Sequence, residues 1–229
     1  MLLALETAND QCSVALLNQS QVVAYRHDGR AREQTRMLLP MVDQVLTEVQ
    51  LSLAQLEAIA FSRGPGSFSG IRINAAVAQA LAWAHDLPVI PVSTLQALAQ
   101  ASEAAAGSRI LAVLDARMNE IYVAAFEMDA AGIAQPVGAE QLVAYDAVEL
   151  PAAWHDQAVW VVGSGAPLLH HSALPMVATV IADVTAQAAQ IGQLAYVALQ
   201  HGQQVDAAQA LPVYLRDNAW KKIAEQGRR

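Results

Sequence analysis

The residues best able to do chemistry in this chain crowd between Ser62 and Asn74, where Gly64, Pro65, Gly66, Ser67, Phe68, Ser69, Gly70 and Arg72 follow one another closely. Glycines let a backbone adopt positive φ, and Ser67 or Ser69 can cap the first amides of a following helix, so such a loop can hold an anion. A structural turn or a partner contact fits the same residues. The named phosphate motifs do not fit. Gly70 is followed by Ile71 and Arg72 with no lysine near, which excludes a Walker loop, and Gly64, Gly66 and Gly70 are one residue too widely spaced for G-x-G-x-x-G. Asp86, at about the distance of a ribose-binding acid, precedes the apolar run Val89 to Val92 instead of ending it. Phe68 stands at the centre of the Gly66 to Gly70 stretch, where a hydrolase elbow needs serine.

Two acids end apolar runs, Glu6 after Leu2 to Leu5 and Asp115 after Arg109 to Leu114, and Gly163 and Gly165 follow the run Ala158 to Val162. They resemble the strand-end acid with a glycine turn and the later glycine pair of duplicated actin-like folds, a resemblance that implies a candidate nucleotide cleft of Glu6, Asp115, Gly163 and Gly165. Neither acid has glycine behind it, however, and a bulkier turn brings its amides less close to a phosphate. Nucleotide hydrolysis by this chain alone is therefore not expected. Glu6, Asp10 and Asp115 are the visible carboxylates for a Mg²⁺ site, and they read more simply as turn and cap residues. The histidines include no pair at H-x-x-x-H spacing, and the adjacent His170 and His171 would point apart, so no metal site is expected. Cys12, the single cysteine, allows no intrachain disulfide and reads as a buried thiol beside Val14 to Leu17.

The elements that must position these residues alternate between strand and helix. Leu2 to Leu5, Ser13 to Leu17 and Gln21 to Tyr25 read as an antiparallel meander. From Arg32 the period becomes helical, with Met37, Leu38, Met41, Val42, Val45, Leu46 and Val49 at three- and four-residue spacings. Leu56 to Phe61 is a strand, Ile71 to His85 a helix, Pro88 to Val92 a strand and Thr94 to about Ala106 a helix. After Gly107 the pattern starts again with Arg109 to Leu114, Glu120 to Phe126 and Ala158 to Val162, and a helix follows over about 186–200. A repeat of hairpin, strand, helix, strand, helix is the pattern of duplicated actin-like folds with a cleft between lobes.

The helices at 32–49 and 71–85 are more apolar than one surface-facing side requires, because Ala75, Ala76, Ala78, Ala80, Ala82 and Trp83 surround the second. Either the chain's own elements cover that surface or another chain does. The second option makes Met37, Leu38, Met41, Val42, Val45, Ala75, Ala78, Gln79 and Ala82 the expected partner interface.

The chain's 229 residues suffice for one large domain or two lobes, and 55% hydrophobic residues can fill substantial cores. Its apolar runs are broken well before the ~20 residues needed to cross a bilayer. The N-terminus lacks the basic start of a signal peptide, so a cytoplasmic location is expected. A net charge of -8 opposes a large phosphate-neutralising surface, despite basic clusters at 26–36 and at Arg216, Lys221, Lys222, Arg228 and Arg229.

The stretch from Arg63 to Arg72 resembles the signature loop of the bacterial TsaB (YeaZ) family. Asp115-Ala-Arg-Met-Asn-Glu-Ile-Tyr122 is similar to the family's D-A-R-M-x-E-V-Y segment, Pro212 to Arg216 with Trp220 to Lys222 to its C-terminal motif, and Glu33 to Pro40 to the start of its first helix. These matches run through nearly the whole chain in the family's order. The resemblance implies an α/β fold of the duplicated actin-like ATPase type (ASKHA, ribonuclease H-like) with two lobes. These would be 1–107, with the loop and partner helices, and a smaller 108–229, whose terminal tail packs back on the first.

It further implies a non-catalytic subunit required for N6-threonylcarbamoyladenosine modification of tRNA. Such a subunit would bind the transferase TsaD, with the ATPase TsaE, and touch tRNA only indirectly. ATP or threonylcarbamoyl-AMP is then expected on the partners, with no cofactor here, and a homodimer when the chain is alone. TsaD carries a metal-holding histidine pair on the equivalent first helix, where this chain has Gln34, Met37 and Met41. The departures are Asn74 and Asn119, where the family more often has glycine, and Ser69, where it often has threonine. The alternative is a small-molecule kinase or phosphotransferase of the same fold, built on Glu6, Asp115, Gly163 and Gly165. A peptidase role finds no constellation of residues here.

Overall fold

The computed structural model describes residues 1–169 and 176–216. His170 and His171, and Trp220, Lys221, Lys222, Arg228 and Arg229, lie outside them.

The first half opens with the expected meander, β1 (Leu2–Glu6), β2 (Cys12–Asn18) and β3 (Gln21–Asp28). Every residue of β1 is buried, as a continuous apolar run covered on both faces requires. After α1 (Gln34–Glu48) come β4 (Ala58–Gly64), α2 (Phe68–Ala84), β5 (Val89–Ser93) and α3 (Thr94–Gln100). The sheet order is β3-β2-β1-β4-β5, with β1 antiparallel to β2 and parallel to β4.

The second half contains β6 (Arg109–Arg117), β7 (Glu120–Met128), β8 (Ala134–Pro136), β9 (Gln141–Ala144), β10 (Val159–Val162), β11 (Val177–Ile181) and α4 (Ala188–Gln200). Its sheet reads β8-β7-β6-β10-β11, with β9 also on β7. Here β6 is antiparallel to β7 and parallel to β10, and β10 is parallel to β11. Order and direction therefore repeat strand for strand, the duplication that the sequence pattern suggested.

Between α1, α2 and the first sheet lies a core of Leu3, Leu5, Val14, Leu16, Ile59 and Phe61 with helix residues such as Leu38, Val45 and Ala78. The opposite face of that sheet shares a core with α3, α4 and the second sheet, where Leu17, Ala60, Leu95, Ile191, Ile110 and Phe126 meet. The outer face of the second sheet is covered by residues such as Trp154 and Leu150. Each large apolar side chain so buried contributes about 1.5–3 kcal/mol.

Two helix ends differ from the sequence reading. α3 stops at Gln100, short of Ala106, because the Ser102 hydroxyl donates back to the Ala99 carbonyl at 2.6 Å and accepts from the Ala104 amide, while Glu103 takes φ 53. α2 starts at Phe68, so half of the glycine loop is its first turn. Ser67 is its N-cap residue, yet its side chain makes no capping bond, contrary to expectation.

Beyond α4 the chain runs back along β5, α2 and the end of β4. Val205 pairs with Val89, the Gln79 amide donates to the Ala207 carbonyl at 3.2 Å, and the Val213 amide donates to the Arg63 carbonyl at 2.8 Å. Among the described residues no helix is long and apolar enough to cross a membrane.

Candidate functional site

A cleft of about 1120 Å³ opens between the two sheets. Its walls are the segments that leave the ends of parallel strands: Ala8 to Gln11 after β1, Pro65 to Phe68 after β4, Asp115 to Arg117 at the end of β6, Ser164 after β10, and Ala182 to Ala186 after β11. Ligands in open α/β sheets bind at such strand ends.

The glycine loop is fixed to the turn after β1. The Ser67 amide donates to the Ala8 carbonyl at 2.6 Å, and the Thr7 hydroxyl donates to the Gly70 carbonyl at 2.8 Å. A Cβ on Gly66 would stand 2.3 Å from the Ala8 carbonyl oxygen, and one on Gly70 would stand 1.9 Å from that of Thr7. Gly64 takes φ +106 and precedes a cis peptide bond to Pro65. These glycines serve close packing of backbone on backbone, the structural turn among the sequence alternatives.

Of the four residues expected in a nucleotide cleft, only Asp115 reaches its wall. Glu6 is 1% exposed and lies beneath the floor. Gly163 and Gly165 are buried because β6 runs against them: a Cβ would meet the Val113 carbonyl oxygen at 2.5 Å and the Val113 side chain at 2.5 Å, respectively. Ser164 between them faces the cleft and accepts from the Asp115 amide at 3.3 Å.

The donors that would cradle a phosphate already have partners. The Ala8 amide donates to Glu6 Oε1 at 2.5 Å, the Gln11 amide to Asn9 Oδ1 at 2.7 Å, and the Arg117 amide to Asp115 Oδ1 at 2.7 Å. The cleft's cations are similarly engaged. Arg117 pairs with Asp115 at 2.9 Å and Arg216 with Glu120 at 2.7 Å. The Arg72 guanidinium lies 3.6 Å over the Phe68 ring while its Nε donates to the Tyr214 hydroxyl at 2.7 Å. Among the described residues no three His, Cys, Asp or Glu side chains converge to hold a metal.

Burial, opposed by the Ser62 hydroxyl and by the amides of Ala8 and Asn9, pushes the Glu6 carboxyl up to about 7. Burial, with the nearby charges of Glu6 and Asp28, likewise pushes the Cys12 thiol up to about 12, the inert buried thiol that the sequence suggested.

The expected partner interface needs correction. Leu38, Met41, Val42, Val45, Ala75, Ala78 and Ala82 are buried in the chain's own core, Met37 is half-buried, and half-buried Gln79 binds the Ala207 carbonyl. Helical spacing selected the sheet-facing stripe, which is the most apolar side of any helix lying on a sheet. The surplus lies away from that stripe: on α1 Leu39 is 52% exposed, and on α2 Trp83 is 67% exposed, with exposed Ala76 and Ala80.

Sequence reasoning also missed the ties between the lobes. Arg63 pairs with Glu140 at 2.9 Å, and the Asn9 side-chain amide donates to the Ala186 carbonyl at 3.0 Å. Arg63 falls inside the recognised loop motif, which was the available signal.

A family model described as TsaD: tRNA N6-adenosine threonylcarbamoyltransferase matches residues 29–224. The chain is 39% identical to the tRNA threonylcarbamoyladenosine biosynthesis protein TsaB of Escherichia coli (strain K12), over 97% of each chain. It is 48% identical to the protein of the same description from Haemophilus influenzae, over 53% of this chain and 51% of that one, about half of each. The solved structure of YeaZ from Pseudomonas aeruginosa matches with TM-score 0.85 at 36% identity, covering 93% of this chain and 99% of that one. With this likeness over its whole length, and with the strand-for-strand duplication of an actin-like ATPase-type fold, the chain belongs to the TsaB family.

Proposed function

We propose that the chain is a non-catalytic subunit required for N6-threonylcarbamoyladenosine modification of tRNA. It binds a TsaD-like transferase, with a TsaE-like ATPase, and supports transfer of threonylcarbamoyl from threonylcarbamoyl-AMP to the adenosine beside the anticodon. The activated nucleotides belong to the partners, tRNA is met only through them, and the work is cytoplasmic. The observation that carries this reading is the exposed apolar surface of α1 and α2, Leu39 on the first and Trp83 with exposed Ala76 and Ala80 on the second. An exposed apolar patch of this kind marks a protein contact. Self-sufficient strand-end turns support the absence of catalysis, since the amides after β1 and β6 are bonded to side chains of the chain itself.

The test is co-purification with a TsaD-like transferase and reconstituted tRNA modification. Leu39→Asp with Trp83→Asp is expected to abolish pairing and modification while the chain still unfolds cooperatively. Pairing that survives both substitutions removes this face from the account. The same face pairs with itself when no partner is present, giving a homodimer that a dilution series in light scattering would detect. Calorimetry with ATP and Mg²⁺ on the isolated chain separates this reading from a small-molecule kinase, for which tight binding and turnover are required.

A further inference from the structure

Beneath the cleft floor, three buried polar side chains from three elements meet. Glu6 ends β1, Ser62 lies in β4, and Asn74 lies in α2, with exposures of 1%, 0% and 0%. Asn74 Nδ2 donates to the Leu5 carbonyl at 3.0 Å, the Ser62 carbonyl at 3.2 Å and Ser62 Oγ at 2.6 Å. The Ser62 hydroxyl also faces the Glu6 carboxyl. Glu6 Oε1 accepts from the Ala8 amide, but among the described residues Glu6 Oε2 and Asn74 Oδ1 have no hydrogen-bond partner. Both are acceptors, and an unpaired buried acceptor costs about 1–3 kcal/mol.

We infer that this cluster is a proton-binding site: Glu6 is held as the neutral carboxylic acid, and its Oε2–H donates toward Asn74 Oδ1, joining the end of β1 to α2. One proton converts one orphan into a donor and supplies the other. A metal ion fits less well. The neighbouring carbonyls of Leu5 and Ser62 already accept from Asn74, which leaves two free oxygens where a hard cation takes about six.

Among the described residues the surroundings contain no fixed positive charge to favour the carboxylate. β2 presents Cys12, with Asp28 of β3 beyond it, and both carboxylates act on that thiol as negative charges. On β4, Arg63 is held by Glu140, and on α2, Arg72 lies on Phe68. α4 carries no charged residue. The charged residues of α1, Arg36, Asp43 and Glu48, are exposed, while its buried Gln34 donates to the Asn9 carbonyl at 2.9 Å. Burial raises the acid's pKa toward neutrality, so the proton is lost as pH rises past 7.

NMR of the full chain carrying ¹³C-labelled glutamate, followed from about pH 5 to about 9, reads this proton directly. The Glu6 carboxyl is expected to titrate near neutrality. Asn74→Ala removes the acceptor that favours the acid form and is expected to raise the acid constant at least about threefold. Glu6→Gln, which carries an N–H donor in place of the acid proton, is expected to keep amide exchange at the start of α2 slow where the unmodified chain loosens above neutrality. A Glu6 midpoint in the ordinary glutamate range overturns the inference. So does a midpoint unmoved by Asn74→Ala, or stabilisation of ionised Glu6 by added Na⁺, K⁺ or Mg²⁺. If Asn74→Ala does not fold, the midpoint of the unmodified chain and the exchange profile of Glu6→Gln still decide.

Discussion

Thr7 and Gly70 hold each other from both sides. The Thr7 hydroxyl donates to the Gly70 carbonyl at 2.8 Å, and the Thr7 carbonyl oxygen lies 1.9 Å from where a Cβ on residue 70 would stand. The signature loop is thus a fastener between the end of the central strand and the first turn of α2, so its glycines answer to backbone packing.

Gly70→Ala must displace a backbone carbonyl, and its cost is expected to reach several kcal/mol, enough to leave little folded chain. Gly107→Ala is the control. Among the described residues nothing lies within 4 Å of its Cβ, and its φ of +81 is what opposes the change. Its expected cost is about 1 kcal/mol. Urea unfolding of the two variants measures the difference.

Stability should depend on pH through Glu6. Its carboxyl is raised from 4.5 to about 7, so the folded state binds the extra proton between those values and stability falls as pH rises through that window. The loss amounts to roughly 3 kcal/mol by linkage. In Glu6→Gln this slope disappears. Asp28, lowered by its hydrogen bonds with Arg30, acts in the opposite sense, and its contribution is lost as pH falls below the ordinary carboxylate range. Chemical unfolding at a series of pH values checks both slopes.

Met41→Asp and Leu39→Asp separate fold from docking. Met41 is 3% exposed, and a carboxylate there has no partner, so the variant is expected to lose at least about 3 kcal/mol or to fail to fold. Leu39 is 52% exposed, and its variant should stay within about 0.5 kcal/mol of the unmodified chain. Circular dichroism during thermal unfolding distinguishes them.

The ion pair between Arg63 and Glu140 joins the first half of the chain to the second with side chains 26% and 14% exposed. A double-mutant cycle of Arg63→Ala and Glu140→Ala should give a coupling of about 1–2 kcal/mol, above that of a solvated surface pair. A coupling near zero would show that this pair does not hold the two halves together.

Arg117, Met118 and Asn119 take φ values of 62, 57 and 62 in succession. Glycine at 119 relieves left-handed strain without removing a contact described for that side chain. Asn119→Gly is expected to stabilise the chain by about 0.5 kcal/mol, read as a higher urea midpoint.

By itself the sequence determined the repeated α/β pattern, the family's motifs and the missing glycines behind Glu6 and Asp115. Apolar runs at strand and helix periods, and residue types at fixed spacings, are local properties of a chain. Which side of a helix meets the sheet is not local. The spacing of Leu38, Met41 and Val45 marked an apolar stripe but not what covered it, and only packing showed that the free surface belongs to Leu39 and Trp83. The fate of Glu6 was hidden for the same reason. A carboxylate at a strand end faces a cleft or lies under its floor according to whether a distant segment closes over it. Here Ser62, Gly70 and Asn74 do so from more than fifty residues away, and burial with two unpaired acceptors turns a would-be phosphate-site acid into a buried one.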